Sequence, residues 1–210
     1  GLVKLRTYLA QDLKKRFGLS YDIDSEILIT VGVSEGVDVG FRALLNPGDK
    51  VLIPQPSYVS YGPMTELAGG QPVFITTSSK NGFKLTPQEL ERRIDRETKA
   101  LLLNYPSNPT GASYTKKELL ALNRVVQKHG LIVMADEVYD GLTYDFDHTP
   151  FATLPGAKER TLYLNGFSKT YAMTGWRVGF ACGPKEIIAA MTKIHQYTIM
   201  CVPIMSQMAA

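Results

Sequence analysis

The sequence predicts a three-layer α/β/α domain built on a mostly parallel, seven-stranded sheet. Three observations predict it. Seven short apolar runs recur along the 210 residues. Most are continuous rather than alternating, as strands buried on both faces must be. Amphipathic helix patterns lie between several of them, and strand–helix alternation marks a parallel α/β sheet. The composition, 44% hydrophobic and 20% charged, supports a real core. No repeat, low-complexity tract or composition break divides the chain, and 210 residues suffice for one large domain or two small ones.

The chain opens at Gly1 with an amphipathic helix, marked by Leu2, Leu5, Leu9 and Leu13 on one face. This is no secretory h-region, and Asp12 and the scarcity of Ser argue against a transit peptide. A helix with no strand or cap before it is expected of a chain that lacks its natural beginning. The first strand covers Ile27–Val31. A helix pattern then begins at Ser34-Glu35-Gly36 and continues through Val37, Phe41, Leu44 and Leu45. Strands follow at Lys50–Ile53 and Gln71–Ile75. Thr86-Pro87-Gln88-Glu89 opens another helix, with Pro at its first position. After the strand Ala100–Tyr105 comes the clearest helix, Thr115–His129. Its stripe is Leu119, Leu120, Leu122, Val125 and Val126. Thr115 and Glu118 make a capping box, and Gly130 stops the helix. The remaining strands cover Leu131–Ala135, Thr161–Phe167 and Val178–Ala181.

Several functions are excluded at this level. A net charge of +3 is too small for a nucleic-acid partner. Lys14-Lys15-Arg16, broken off by Asp12, reads as a solvated helix face. The two cysteines, Cys182 and Cys201, lie far apart with no partner at metal-ligand spacing, so neither a disulfide framework nor a metal site is expected. A reducing cytoplasm is the default setting. No run approaches the ~18 apolar residues of a membrane span. His129 at a helix end and His195 in a helical segment receive no catalytic role.

Sites in open α/β sheets lie at the carboxyl ends of strands. Five strand ends here carry polar residues: Ser34-Glu35-Gly36, Ser57-Tyr58, Ser107-Asn108, Asp136-Glu137 and Ser168-Lys169. Lys169 follows an apolar run, and a lysine desolvated there can attack a carbonyl and form a Schiff base. Arg177, eight residues on, and Ser168 suit a phosphate. An aldehyde carrying a phosphate is pyridoxal 5'-phosphate. Asp136 ends a buried strand, where a carboxylate is costly unless paired. A protonated pyridine nitrogen is one partner for it, and capping the next helix is the alternative. Ser34 begins a helix whose free N–H groups attract phosphate, although an ordinary N-cap looks the same. Tyr58 offers an aromatic face for a ring, as does Tyr61, and either could be core. Asn108 sits in a proline-rich turn, where asparagine commonly bonds the backbone.

The string from Gly166 to Gly179, with Ser168, Lys169, Gly175 and Arg177, resembles the lysine-attachment signature of class I/II aminotransferases, which are fold-type I pyridoxal-phosphate enzymes. Asp136-Glu137-Val138-Tyr139 and Asn108-Pro109-Thr110-Gly111 resemble two further motifs of that family, in the family's order. The resemblance implies roles. Lys169 forms the internal aldimine and moves the substrate proton. Asp136 holds the ring nitrogen, and Tyr139 and Asn108 bond the phenolic oxygen. Tyr58 stacks on the ring, and the main chain of Ser34, Glu35 and Gly36 cradles the phosphate with Arg177 and Ser168. The Glu35 carboxylate is expected to point away. In part of the family the serine stands three residues before the lysine, where this chain has Gly166.

The implied activity is a ping-pong transfer of an amino group from an L-amino acid to a 2-oxo acid. The resemblance also implies a homodimer in the full-length protein. It casts residues 1–210 as the large cofactor-binding domain, lacking an N-terminal arm and a C-terminal small domain. Carbon–sulfur lyases and cyclopropane-forming synthases share this cofactor site. A transcription regulator with an aminotransferase-like sensor domain is a third alternative.

Overall fold

A computed structural model describes residues 1–210, and its seven strands form one sheet. The strands are β1 (Ile27–Thr30), β2 (Lys50–Gln55), β3 (Gln71–Thr76), β4 (Thr98–Asn104), β5 (Ile132–Asp136), β6 (Thr161–Gly166) and β7 (Gly179–Cys182). Each falls on one of the seven apolar runs. The order across the sheet is β1-β7-β6-β5-β4-β2-β3. Strands β6, β5, β4, β2 and β3 run parallel, whereas β7 is antiparallel to both β6 and β1. The reversal has a local cause. A parallel neighbour needs a long crossover, usually a helix, but residues 167–178 contain only a short 3₁₀ turn at Thr174–Trp176. The loop therefore joins adjacent ends of β6 and β7, and keeps Lys169 and Arg177 at the carboxyl end of β6.

Seven helices complete the fold: α1 (Val3–Phe17), α2 (Gly32–Leu44), α3 (Tyr61–Leu67), α4 (Pro87–Glu91), α5 (Lys116–His129), α6 (Lys185–Thr198) and α7 (Ile204–Ala209). Strand periodicity sends alternate residues to opposite faces. In β4, Ala100 and Leu102 pack with Val37 and Phe41 of α2 and Ile188 and Met191 of α6. Leu101 and Leu103 pack on the other face with Leu119, Leu122 and Val126 of α5. On that same side, α1 buries Leu5, Leu9 and Leu13 against Ile27, Ile29, Tyr163 and Phe180, while Leu2 is only half-buried. These are the three predicted layers.

Local chemistry sets the helix ends. Thr115 accepts the N–H of Glu118, whose carboxylate accepts the N–H of Thr115. Thr86 and Glu89 repeat the box on α4, with Pro87 first in the helix. Gly18 and Gly130 end α1 and α5 in the left-handed conformation. Helix α2 departs from expectation. It begins at Gly32, two residues before Ser34, with Val31 at the N-cap and no side-chain cap. Gly32 makes this start possible. Its φ is 70°, and a Cβ there would lie 2.5 Å from the Arg177 guanidinium. A Cβ on Gly179 would meet the Gly32 carbonyl carbon at 2.6 Å, so the two backbones touch. No helix is long and apolar enough to cross a membrane.

Candidate active site

The strand ends open onto one cavity of about 230 Å³. Ser34, Tyr58, Asn108, Asp136, Tyr139, Ser168, Lys169 and Arg177 all line it. Eight residues from five separate connections thus line one cavity.

Asp136 is the last residue of β5 and 5% exposed. Burial pushes its carboxyl up to about 6, against the opposing pull of hydrogen bonds from the Tyr61 hydroxyl and the Val138 N–H. The Tyr61 bond is 2.7 Å and the Val138 bond 3.3 Å. Burial and the Asp136 charge raise the Tyr61 hydroxyl well above its ordinary range, so it keeps its proton and donates. Two donors leave much of the carboxylate's accepting capacity unused. The element that follows is the short 3₁₀ turn Asp140–Leu142, whose N-cap position is Tyr139 rather than Asp136.

Asn104, the last residue of β4, braces the neighbouring loop. Its amide N–H₂ donates to the Asp136 carbonyl at 2.9 Å, and its carbonyl accepts the Asn108 N–H at 2.8 Å. Asn108 is thus held through its own main-chain N–H by the Asn104 side chain, and it lines the cavity. Tyr58 is 39% exposed and meets Tyr61 edge to face, ring centres 5.5 Å apart. Tyr58 is on the cavity wall and Tyr61 is buried behind it. The competition between the two tyrosines resolves into two positions of one wall.

Lys169 corrects an expectation. The sequence places it desolvated at a strand end. In the structure β6 stops at Gly166, and Lys169 is exposed, its Nζ 5.5 Å from the centre of the Tyr139 ring. The loop has already turned out of the sheet, with Ala172 and Arg177 both at φ 54°. A non-glycine residue in that region is strained, and such strain gathers at functional sites. Arg177 donates to the Thr174 carbonyl at 3.0 Å, and the Thr174 hydroxyl donates to the Ser168 carbonyl at 3.0 Å. These bonds tie the two ends of the loop together.

Glu35 and Gly36 require a second correction, because neither lines the cavity. The early start of α2 is the reason. The first-turn N–H groups, free of partners within the helix, belong to Gly32, Val33 and Ser34, so the predicted trio lies too far along. Gly36 faces the sheet, where a Cβ would lie 3.1 Å from Leu164. The Glu35 carboxylate does point away, as expected, toward the Val31 N–H and His195. Val33, Val37, Met64, Val138 and Thr174 line the cavity without having been assigned to it, and so does Tyr61, the alternative ring face.

Cationic groups at the rim face an anionic floor. Such a cavity can hold a molecule with a phosphate at one end and a ring cation at the other. The family model for aminotransferase class I and II matches residues 1–210. The chain is 49% identical over 210 residues to the putative aminotransferase YugH of Bacillus subtilis, covering 100% of this chain and 54% of that protein. It is 44% identical to an aspartate aminotransferase of Pyrococcus abyssi, again covering 100% and 54%. The crystal structure of an aromatic aminotransferase from Pyrococcus horikoshii superposes with a TM-score of 0.97 at 44% identity, over 100% of this chain and 56% of that one. The chain thus spans about half the length of the relatives it matches. From the first residue to the last, it belongs to the class I and II aminotransferase family, whose enzymes use pyridoxal phosphate.

Proposed function

We propose that residues 1–210 are the large, cofactor-binding domain of a pyridoxal-phosphate-dependent aminotransferase that acts on an L-amino acid and a 2-oxo acid. The observation that carries this reading is Asp136. A buried carboxylate short of partners, at the floor of a cavity with Lys169 and Arg177 on its walls, fits a cationic ring nitrogen. The printed names of the relatives, aspartate and aromatic aminotransferases among them, support the reaction class.

The bound cofactor supplies a carbonyl and an electron-accepting ring. The chain supplies the rest. Asp136, held by Tyr61 and Val138, keeps a negative charge at the ring nitrogen. Tyr58 covers a ring face. Asn108 and Tyr139 reach the phenolic oxygen. Arg177, Ser168 and the N–H groups of Gly32, Val33 and Ser34 receive the phosphate. Lys169 would hold the cofactor, and its Nζ would accept and return the substrate proton. The reading includes a homodimer and a cytoplasmic setting. Two observations support these, the large exposed Tyr197, Met200, Met205 and Met208 near the C-terminal end and the two unpaired cysteines.

Borohydride reduction of the cofactor-loaded, full-length protein, followed by peptide mapping, tests the assignment. The label is expected on Lys169, in a protein that sediments as a dimer and converts amino acids to 2-oxo acids without releasing ammonia. A label on another lysine overturns the site. Stoichiometric ammonia release transfers the reading to a lyase.

A further inference from the structure

Helix α2 begins unlike α4 and α5. There, Thr86 and Thr115 each accept the N–H of the third helical residue. On α2 the corresponding donors belong to Val33 and Ser34, the two positions an N-cap side chain normally occupies. Val31 has no side chain able to take them, and both residues line the cavity. The donors are thereby left available to an anion.

The helix end is braced from behind instead. Glu35 turns its carboxylate back along the first turn. One oxygen accepts the N–H of Val31, and the other lies 2.7 Å from Nδ1 of His195 on α6. A carboxylate only accepts, so the ring nitrogen facing it carries the proton. The side chains are 12% and 6% exposed, which makes the contact well shielded from water. Arg177, seated against Gly32, holds the opposite side of the same turn.

We infer that Glu35 and His195 are positioning residues that fix the first turn of α2, so that the Val33 and Ser34 N–H groups stay set for the cofactor's phosphate. The inference rests on the function proposed above. Neither residue touches the cavity, and neither acts on the reacting atoms. The pair does two things. It satisfies the Val31 N–H without consuming a donor needed by the anion, and it draws the acidic charge nearest that turn away from the anion. His195 sits near the C-terminal end of α6, so the pair also links that helix to the site.

The test compares pyridoxal phosphate with pyridoxal, which lacks the phosphate, as ligands of the full-length, cofactor-free protein. Affinities are read from absorbance titrations. The wild type is expected to favour the phosphorylated aldehyde strongly. Glu35→Ala and His195→Leu should each cut that preference by roughly tenfold, through the loss of a charge-assisted bond, while pyridoxal binds as before. His195→Asn can still offer an amide N–H to Glu35 and should regain much of the preference. Glu35→Gln keeps an acceptor for Val31, should lose less than Glu35→Ala, and carries the test if the alanine variant does not fold. Parallel loss of affinity for both ligands would show a merely structural pair and overturn the inference, as would an unchanged preference. A wild type that does not distinguish the two aldehydes would overturn the phosphate site itself.

Discussion

Asp136 and Glu137 are adjacent, both are buried, and burial raises the pKa of both, yet their surroundings differ. Glu137 is 0% exposed and fully engaged. One oxygen accepts the Tyr105 hydroxyl at 2.9 Å and the Phe151 N–H at 3.0 Å, and the other lies 2.5 Å from His148 Nε2. The Tyr105 ring stacks on His148, centres 5.2 Å apart. Asp136 has two donors and a cavity beside it. Successive residues at the end of a strand point to opposite sides, so one carboxylate enters the protein's frame and the other its site. A buried charge with every partner supplied by the chain holds structure together. A buried charge left short of partners is a place for a ligand.

The largest expected effect falls on the unfinished site. In the full-length enzyme, Asp136→Asn should lower turnover about 10³–10⁴-fold, because an amide cannot keep the ring nitrogen protonated, a barrier change of about 4–5.5 kcal/mol. Attachment to Lys169 should persist, read as the unchanged absorbance of the loaded protein. Near-normal turnover would reduce Asp136 to a cap and dissolve the contrast. Glu137→Ala should act on the fold. It removes the acceptor of the Phe151 N–H and the partner of His148 and leaves the Tyr105 hydroxyl only the Thr149 carbonyl at 3.2 Å, and breaking a buried pair costs about 3–5 kcal/mol. Urea unfolding should register that loss. A variant of wild-type stability and low activity would place Glu137 in the chemistry.

Much of this contrast could be read before the structure, for identifiable reasons. Lys169 and Asp136 are conspicuous as charged residues at the ends of apolar runs, and Arg177 through its place eight residues after Lys169. The capping boxes at Thr86 and Thr115 were legible because each is complete within four residues. Ser34 looks like a cap and so points to a late start of α2, whereas the true N-cap, Val31, has no capping side chain. Tyr61 and Asp136 meet across 75 residues, and Glu35 and His195 across 160, distances that no local pattern encodes. The sequence pattern therefore gives His195 no role. The reversal of β7 lay within reach, since the helix-free segment before it is too short for a parallel return. The exposure of Lys169 did not, because a sequence shows where a strand ends only to within a few residues.

The smallest of the three effects isolates the energetic side of the contrast, in the cofactor-free protein. The Asp136 carboxyl is raised from 3.8 to about 6 in the folded state. An acid with a raised folded pKa binds its proton more tightly when folded, so stability falls as pH climbs from about 4 to about 6 and levels off above. The shift corresponds to about 3 kcal/mol, nearly all present as a penalty at pH 7. Glu137 shifts in the same direction, so the wild-type profile alone does not separate the two. Asp136→Asn does. The amide can accept from Tyr61 while carrying no charge, and it leaves Glu137 in place. The unfolding free energy of the variant relative to wild type should therefore grow with pH, from little difference near pH 4 to about 3 kcal/mol in the variant's favour near pH 7. Saturating pyridoxal phosphate should shrink that advantage, since the ligand supplies the missing cation only to the aspartate. A difference that stays flat with pH would mean Asp136 is as well satisfied by its own chain as Glu137 is.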